Sequence, residues 1–208
     1  MLAGVTDRAG AEADVRAQLP WAKTLVWAQQ VHGASIAAVE TAQPPVNPIP
    51  GCDALTTDLP GVILAVRSAD CLPILAWDPV RRVVGLAHAG WRGLAAHLPS
   101  RLVTLMRQRY QSAPRDLWVA VGPSIRACCY EVGEEFLPQF GAFLRQADGR
   151  RMCDLIGCAA QQVAEAGVPA GHVLDTGVCT ACAGTRWHSV RRDGLTAGRG
   201  VSFLVIRP

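Results

Sequence analysis

The feature that most constrains this chain is a set of short apolar runs, each of which stops at a glycine or a polar residue. The run at 83–87 leads into His88-Ala89-Gly90-Trp91-Arg92-Gly93, so an imidazole, two glycines, an indole and a guanidinium follow one strand-like segment. Runs of this length, bounded by turn residues, predict strands more than helices. A strand that ends in such a hexapeptide is better suited to forming a site than to filling a core.

The remaining runs predict a protein of the α+β or mixed α/β class. Strands are expected at 24–31, 35–39, 62–66, 72–77, 83–87, 117–121, 172–174 and 201–206. Helices are expected at 94–110, 134–143 and 154–166, with Asp154 as an N-cap. The proline-rich stretch 42–50 is predicted to be a surface connection and 148–151 a polar turn.

Composition narrows the functional classes. The chain has 208 residues, 50% of them hydrophobic, which predicts one domain over 1–208 with a sizeable core. A net charge of +3 and scattered basic residues argue against nucleic acid and leave small anionic ligands open. No signal-like segment is present, and no apolar run approaches the ~18 residues of a membrane span, so a cytoplasmic protein without a membrane partner is expected.

Eight cysteines, at positions 52, 71, 128, 129, 153, 158, 179 and 182, are a high count. Without a signal peptide they do not predict a disulfide framework, and most are expected to pack as small hydrophobes. The Cys179-Thr180-Ala181-Cys182 motif suggests either redox chemistry or a structural zinc site with Cys153 and Cys158. Packing remains the simpler interpretation, because no thioredoxin-like helix follows the motif and the spacing does not suit a zinc ribbon.

Three metal-binding side chains stand where apolar runs end. His32 follows Gln30-Val31, Cys71 lies in Ser68-Ala69-Asp70-Cys71-Leu72-Pro73, and His88 ends the third run. One cysteine and two histidines form a normal zinc set that leaves a fourth position open, which is typical of a catalytic site. The competing interpretation is that the histidines are structural and Cys71 packs in the core, since no compact metal motif joins the three.

Longer motifs give the chain a family resemblance. In their order they resemble the YfiH-like laccase-domain family, and the resemblance covers residues 30–206. The segments that carry it are Gln30-Val31-His32-Gly33, Asp53-Ala54-Leu55-Thr56-Thr57-Asp58, Ala69-Asp70-Cys71-Leu72-Pro73, His88-Ala89-Gly90-Trp91-Arg92-Gly93, Gly122-Pro123-Ser124-Ile125, Cys128-Cys129-Tyr130-Glu131-Val132-Gly133, Ser189-Val190-Arg191-Arg192-Asp193-Gly194 and Gly198-Arg199.

The resemblance carries expectations of fold and cofactor. It implies two packed mixed β-sheets flanked by helices in one domain, and His32, Cys71 and His88 as ligands of Zn²⁺, with Cu²⁺ as an alternative metal. Family members usually begin with an additional N-terminal segment. The present chain starts near its Val5-Thr6-Asp7, so either the true start lies further upstream or this member is shortened.

The activity implied by the resemblance is that of a zinc-dependent purine nucleoside phosphorylase. Adenosine, inosine or methylthioadenosine would react with phosphate to give the base and a ribose 1-phosphate, with adenosine deamination as a second activity. The family has also been described as multicopper polyphenol oxidases, or laccases, and linked to the editing of peptidoglycan precursors. The order of preference among these nucleosides stays open.

Phosphorolysis needs a positive charge for phosphate and an electrophile or acid for the departing base. Arg92 is the first candidate for the charge, and Arg67, Arg191 and Arg192 are others, although exposed arginines are commonly only solvated. Trp91 offers a flat face for a purine, or else belongs to the core. The candidate catalytic residues are Cys71, His88, Asp70 and Arg92, and the candidate substrate-binding residues are Trp91, Arg92 and Arg67.

Other functions stay open at this point. Asp70 is expected to orient a ligating imidazole, to act as an acid–base residue, or merely to cap a turn. Cys71, His88 and Asp70 also supply the nucleophile, base and orienting group of a cysteine hydrolase. A copper oxidase is disfavoured because five histidines without a His-x-His pair are few for its centres. A metal-binding interaction module, with Trp91 and Arg92 facing a partner protein, is the non-enzymatic alternative.

Overall fold

The computed structural model describes residues 1–10 and 12–208. The strands are β1 Leu2–Val5, β2 Thr24–Trp27, β3 Ile36–Ala38, β4 Ala54–Thr57, β5 Val62–Ser68, β6 Leu72–Asp78, β7 Val83–Ala89, β8 Trp118–Val121, β9 Leu144–Ala147, β10 Arg150–Cys153, β11 Val173–Asp175 and β12 Gly200–Val205. The α-helices are α1 Glu12–Gln18, α2 Trp91–Ala95, α3 Leu98–Tyr110, α4 Leu137–Phe140, α5 Leu155–Glu165 and α6 Val190–Asp193. None of the helices in these two ranges is long and apolar enough to cross a bilayer.

A six-stranded mixed sheet forms the centre of the fold, in the order β11-β8-β6-β7-β4-β3. Strands β6 and β7 are antiparallel, and Leu72 pairs with Ala89 and Pro73 with His88. Every residue of β7 is buried, as expected for a strand covered on both faces. This register places the residue before β6, Cys71, beside the end of β7 that carries His88.

A second sheet of four strands, in the order β1-β12-β5-β2, packs against the first. The core between the sheets contains Val26 and Leu64 from one sheet and Leu75 and Leu86 from the other. The chain passes from the four-stranded to the six-stranded sheet between β5 and β6. Cys71 lies in that crossing.

Helices cover the outer faces of both sheets. Leu102 and Met106 of α3 pack on the six-stranded sheet together with α5. A Cβ atom at Gly85 would lie 3.0 Å from a methyl carbon of Leu102, so the glycine lets α3 lie close to β7. Val15 and Leu19 cover the four-stranded sheet. The fold predicted from the resemblance, two packed mixed sheets with helices outside in one domain, is confirmed.

All eight predicted strands are present with shifted ends, but several other elements differ from expectation. The predicted helix at 94–110 is two helices, because His97 adopts a left-handed conformation (φ 58°) between α2 and α3. The segment 134–143 is a short α-helix between two 3₁₀ turns. The predicted polar turn at 148–151 is shorter than expected, because 148–149 form the tip of the hairpin β9–β10 and 150–151 belong to β10. Strands β1, β4, β9 and β10 were not predicted, because four residues give too short a pattern to detect.

Candidate active site

His32, Cys71 and His88 converge, as their positions at strand ends predicted. The ligand-type atoms of the three side chains all lie within 4.8 Å of one another. His32 lies between β2 and β3, Cys71 lies between β5 and β6, and His88 belongs to β7, so the cluster forms where the chain passes from one sheet to the other. His88 is buried, Cys71 is half-buried and His32 is exposed. The cluster is therefore anchored in the core and open to solvent on one side.

Asp53 holds this arrangement together from behind. Its carboxylate accepts backbone N–H bonds from Val31 (3.1 Å), His32 (3.0 Å) and Gly33 (2.7 Å). It also lies 3.0 Å from Nδ1 of His88. One fully buried carboxylate thus fixes both the His32 loop and the ring of His88.

The electrostatics of the cluster follow from these contacts. Burial opposes ionisation of Asp53, but hydrogen bonds from His88 and from the backbone of the loop outweigh it and lower the pKa of that carboxyl. Burial likewise opposes a charged His88, yet its contacts with Asp53 and Cys71 raise its pKa to about 9. Burial also disfavours the Cys71 thiolate, but hydrogen bonds with His32 and His88 lower the pKa of the thiol to about 7. The sulfur is therefore available as a thiolate near neutrality.

The donor set fits a single zinc ion. One thiolate and two imidazoles are ligands that zinc prefers, and three protein ligands leave one tetrahedral position open. The bond between Asp53 and Nδ1 of His88 leaves Nε2 free to bind a metal, which is a common arrangement of a carboxylate behind a ligating histidine. Gly90 contributes by its small size, since a Cβ atom there would lie 3.1 Å from the sulfur of Cys71.

The imidazole-orienting contact predicted for Asp70 is made by Asp53 instead. The carboxylate of Asp70 accepts hydrogen bonds from the Thr180 hydroxyl (2.6 Å) and the Arg191 backbone N–H (2.7 Å). It therefore ties the crossing that holds Cys71 to the C-terminal part of the chain. Sequence reasoning missed Asp53, although a carboxylate directly before the apolar start of β4 was the available signal.

An aromatic cleft lies next to the cluster. It is lined by Trp91, Tyr130, Phe136 and Arg191, among others. Trp91 follows Gly90 directly and packs against Phe136, with ring centroids 5.3 Å apart. Burial and the charge of Cys71 raise the pKa of Tyr130 to about 12. The cleft therefore borders the three-residue cluster through Trp91, whose neighbour Gly90 lies against the sulfur of Cys71.

The candidate arginines fall into three different settings. The guanidinium of Arg92 is exposed and lies 4.3 Å from the centroid of the Trp91 ring. Arg191 lies over Tyr130 in the cleft, at 5.1 Å. Arg67 stacks on Trp27 of the four-stranded sheet instead of on the cleft aromatics.

Arg192 is engaged in structural contacts. Its guanidinium donates to the backbone carbonyls of Thr180 (2.8 Å), Gly184 (2.6 Å) and Trp187 (2.5 Å), and it also pairs with Asp193. These contacts use the donors that phosphate would need. Arg92 and Arg191 are the two arginines placed beside the cleft.

The remaining histidines and cysteines lie outside the His32 cluster. Within residues 1–10 and 12–208, the second group able to hold a metal consists of Cys128, Cys129, Cys179 and Cys182. The zinc partners considered for the C-x-x-C motif are both buried in the core, Cys153 at the end of β10 and Cys158 on α5. That pairing is wrong, because the fold brings a different pair of cysteines to the motif.

Comparison with known proteins agrees with the fold and the motifs. The family model described as multi-copper polyphenol oxidoreductase laccase matches residues 7–207. The purine nucleoside phosphorylase YlmD of Geobacillus stearothermophilus is 38% identical over 194 residues, which are 86% of this chain and 71% of that protein. Adenosine deaminase RL5, from an unknown prokaryotic organism, is 30% identical over 190 residues, 84% of this chain and 72% of that protein.

Solved structures give the same result. The crystal structure of YlmD from Geobacillus stearothermophilus has a TM-score of 0.88 at 33% identity, and the match covers 100% of this chain and 92% of that one. The Bacillus licheniformis protein YfiH has a TM-score of 0.85 at 29% identity, covering 93% and 79%. With the fold, the motifs and the family model in agreement, this chain belongs to the laccase-like family of YfiH and YlmD, described as multi-copper polyphenol oxidoreductase laccase.

Proposed function

We propose that residues 1–208 form a zinc-dependent purine nucleoside phosphorylase that cleaves adenosine, inosine or methylthioadenosine with phosphate. The products would be the free base and the ribose 1-phosphate, and adenosine would also be deaminated at the same site. The observation that carries the proposal is the convergence of His32, Cys71 and His88 beside an aromatic cleft. Relatives named purine nucleoside phosphorylase and adenosine deaminase support it.

The chain's own residues would bind and orient the two substrates. Trp91 and Tyr130 present aromatic faces against which a purine can stack. Arg92 and Arg191 supply positive charge beside the cleft, and this charge would compensate that of phosphate as it approaches the anomeric carbon. When bound, zinc supplies a Lewis acid and a water of lowered pKa.

The metal-binding residues would be His32, Cys71 and His88, with Asp53 as a positioning residue. Asp53 keeps Nδ1 of His88 occupied and holds the His32 loop by three backbone bonds. In this proposal Asp70 acts by tying the Cys71 crossing to Arg191, rather than by touching the substrate.

The test is an assay of hypoxanthine release from inosine, with and without phosphate, on the zinc-loaded full chain. Release that requires phosphate is expected, and Cys71→Ala should abolish both this activity and the zinc of the three-residue cluster. His97→Asn is the matched control, because His97 is an exposed histidine outside the cluster and asparagine tolerates its left-handed conformation. Absence of phosphate-dependent turnover in the zinc-loaded protein would contradict the proposal.

A second candidate, a cysteine hydrolase acting on peptidoglycan precursors, is favoured by one observation. Cys71, His88 and Asp53 line up as thiol, imidazole and carboxylate, and the pKa of Cys71 is lowered to about 7. The second imidazole, His32, has no role in such a triad, and this favours the metal. The two candidate functions predict different alkylation of Cys71. A nucleophilic Cys71 reacts with iodoacetamide in the presence of zinc, whereas a Cys71 that binds zinc is protected.

A further inference from the structure

Four cysteines meet at the side of the molecule where β8 and β11 end. Cys128 and Cys129 occupy a turn that follows β8, and Cys179 and Cys182 a turn that follows β11. Their four sulfur atoms all lie within 4.8 Å of one another. The two pairs are about fifty residues apart in sequence, and the parallel pairing of β8 with β11, continued by the bridge between Ser124 and Cys179, brings them together.

The distances suit a metal better than a disulfide. A tetrahedral zinc ion with Zn–S bonds of about 2.3 Å places its sulfurs about 3.8 Å apart. The sulfurs of Cys128 and Cys182 are 3.6 Å apart. A disulfide requires about 2.05 Å. This distance, with all four sulfurs within 4.8 Å of one another, leaves room for one shared ion and is too long for a disulfide.

The environment of the sulfurs also differs from that of packed core cysteines. Cys128 and Cys182 are exposed, whereas Cys153 and Cys158 are buried among apolar side chains. Cys129 is half-buried and Cys179 is buried, so the cluster lies at the protein surface with two of its thiols open to solvent.

The cluster also holds the elements that frame the candidate active site. Thr180, inside the C-x-x-C turn, donates to the carboxylate of Asp70 at 2.6 Å. The carbonyl of Cys129 accepts a bond from the guanidinium of Arg191 at 3.2 Å. The two cysteine turns thus position one residue beside Cys71 and one arginine of the cleft.

We infer that Cys128, Cys129, Cys179 and Cys182 form a structural Zn²⁺ site, separate from the cluster of His32. Four thiolates close the tetrahedron, so the site has no open position for substrate and acts by locking the two turns together. The inference goes beyond the proposed activity and does not depend on it, because it concerns metal content and not turnover.

Metal analysis of the full chain, purified without oxygen and loaded with zinc, tests the site. We expect two zinc ions per chain in the unchanged protein and one in Cys71→Ala. The double variant Cys128→Ser with Cys182→Ser should also retain one. Cys158→Ser is the matched control, since this thiol lies outside both clusters, and it should retain two. A double variant that binds as much zinc as the unchanged protein would overturn the inference.

A second measurement needs no substitution and covers the case in which the double variant fails to fold. Iodoacetamide labelling, read by peptide mass spectrometry, should leave Cys128 and Cys182 protected in the zinc-loaded protein and label both after chelation. Because both are exposed, free thiols at these positions would react quickly in either state, and that result overturns the inference. Resistance to labelling that only a reductant removes would also overturn the inference, because it would indicate a disulfide.

Discussion

At the scale of single residues, Asp53 holds the candidate site in place, although it is not one of the proposed ligands. Its carboxylate accepts the backbone N–H groups of Val31, His32 and Gly33 and contacts Nδ1 of His88. An asparagine has one oxygen in place of two, and its amide nitrogen would face donors. Such a buried mismatch typically costs about 1–3 kcal/mol, and more when a charge is involved.

We expect Asp53→Asn to lower the free energy of unfolding by about 2–3 kcal/mol and zinc affinity by about 10–100-fold. Asp78→Asn is the control, because Asp78 is equally buried but accepts its bonds from Val80 and Arg81 at the far end of β6. Both bonds go to one oxygen, which an asparagine can supply, so this variant should keep the zinc affinity of the parent protein. Chemical denaturation and zinc competition with a chromogenic chelator measure the two effects. Equal zinc affinity in both variants would remove the positioning role of Asp53.

Gly90 permits close approach to the ligands. A Cβ atom there would lie 3.1 Å from the sulfur of Cys71 and 3.6 Å from Cδ2 of His32. We expect Gly90→Ala to weaken zinc binding at least about tenfold, equivalent to about 1.4 kcal/mol, because the methyl group displaces the sulfur. Gly171→Ala, where a Cβ meets nothing within 4 Å, should bind zinc normally. Isothermal titration of both variants would show the difference, and unchanged affinity in Gly90→Ala would contradict the proposed ligand set.

At the scale of elements, the positions of the strand ends determine which side chains come close together. The register of β6 with β7 sets Cys71 beside His88, and the left-handed His97 turns α3 back over the sheet after α2. An ion pair holds strand β11 in place. Asp175 at its end forms a bidentate ion pair with Arg126, which follows β8.

The ion pair predicts a pH-dependent contribution to stability. The hydrogen bond and charge of Arg126 lower the pKa of Asp175. A carboxyl with a lowered folded-state pKa stabilises the fold above its unfolded pKa of about 3.9, and this stabilisation disappears as the pH falls through the folded-state pKa. We expect Asp175→Asn to cost about 1 kcal/mol or less at neutral pH, because the pair is partly exposed, and nothing in strong acid.

The measurement is denaturant unfolding of both proteins across acid and neutral pH. Asp148→Asn, at the exposed tip of the hairpin β9–β10, serves as the control and should match the parent protein at every pH. A difference for Asp175→Asn that grows as the pH falls would refute the ion-pair account.

At the scale of the whole molecule, the candidate metal site joins the two sheets. His32 follows β2 of the four-stranded sheet, and His88 belongs to β7 of the six-stranded sheet. A ligand that binds only the folded state stabilises it, by about 2.7 kcal/mol at a concentration one hundred times its Kd. Zinc bound between the sheets should therefore stabilise the folded state, in addition to its proposed role in the reaction.

We expect chelation to lower the Tm of the parent protein by more than it lowers the Tm of His32→Ala. The exposed His32 can be replaced with little effect on packing, and the variant lacks one ligand of the site between the sheets. The shift that remains in His32→Ala belongs to the four-cysteine cluster. Differential scanning calorimetry with and without chelator measures both shifts, and equal shifts in the two proteins would mean that zinc does not bridge the sheets.

The sequence by itself predicted eight of the twelve strands in the described residues, the fold class through its family motifs, and the trio of His32, Cys71 and His88. It could do so because strand period and short motifs are local properties of the chain. Only the tertiary structure decided that Asp53, not Asp70, orients His88, and that Cys179 and Cys182 meet Cys128 and Cys129. Those contacts depend on strand pairing between distant segments, and the packing of the whole fold selects that pairing.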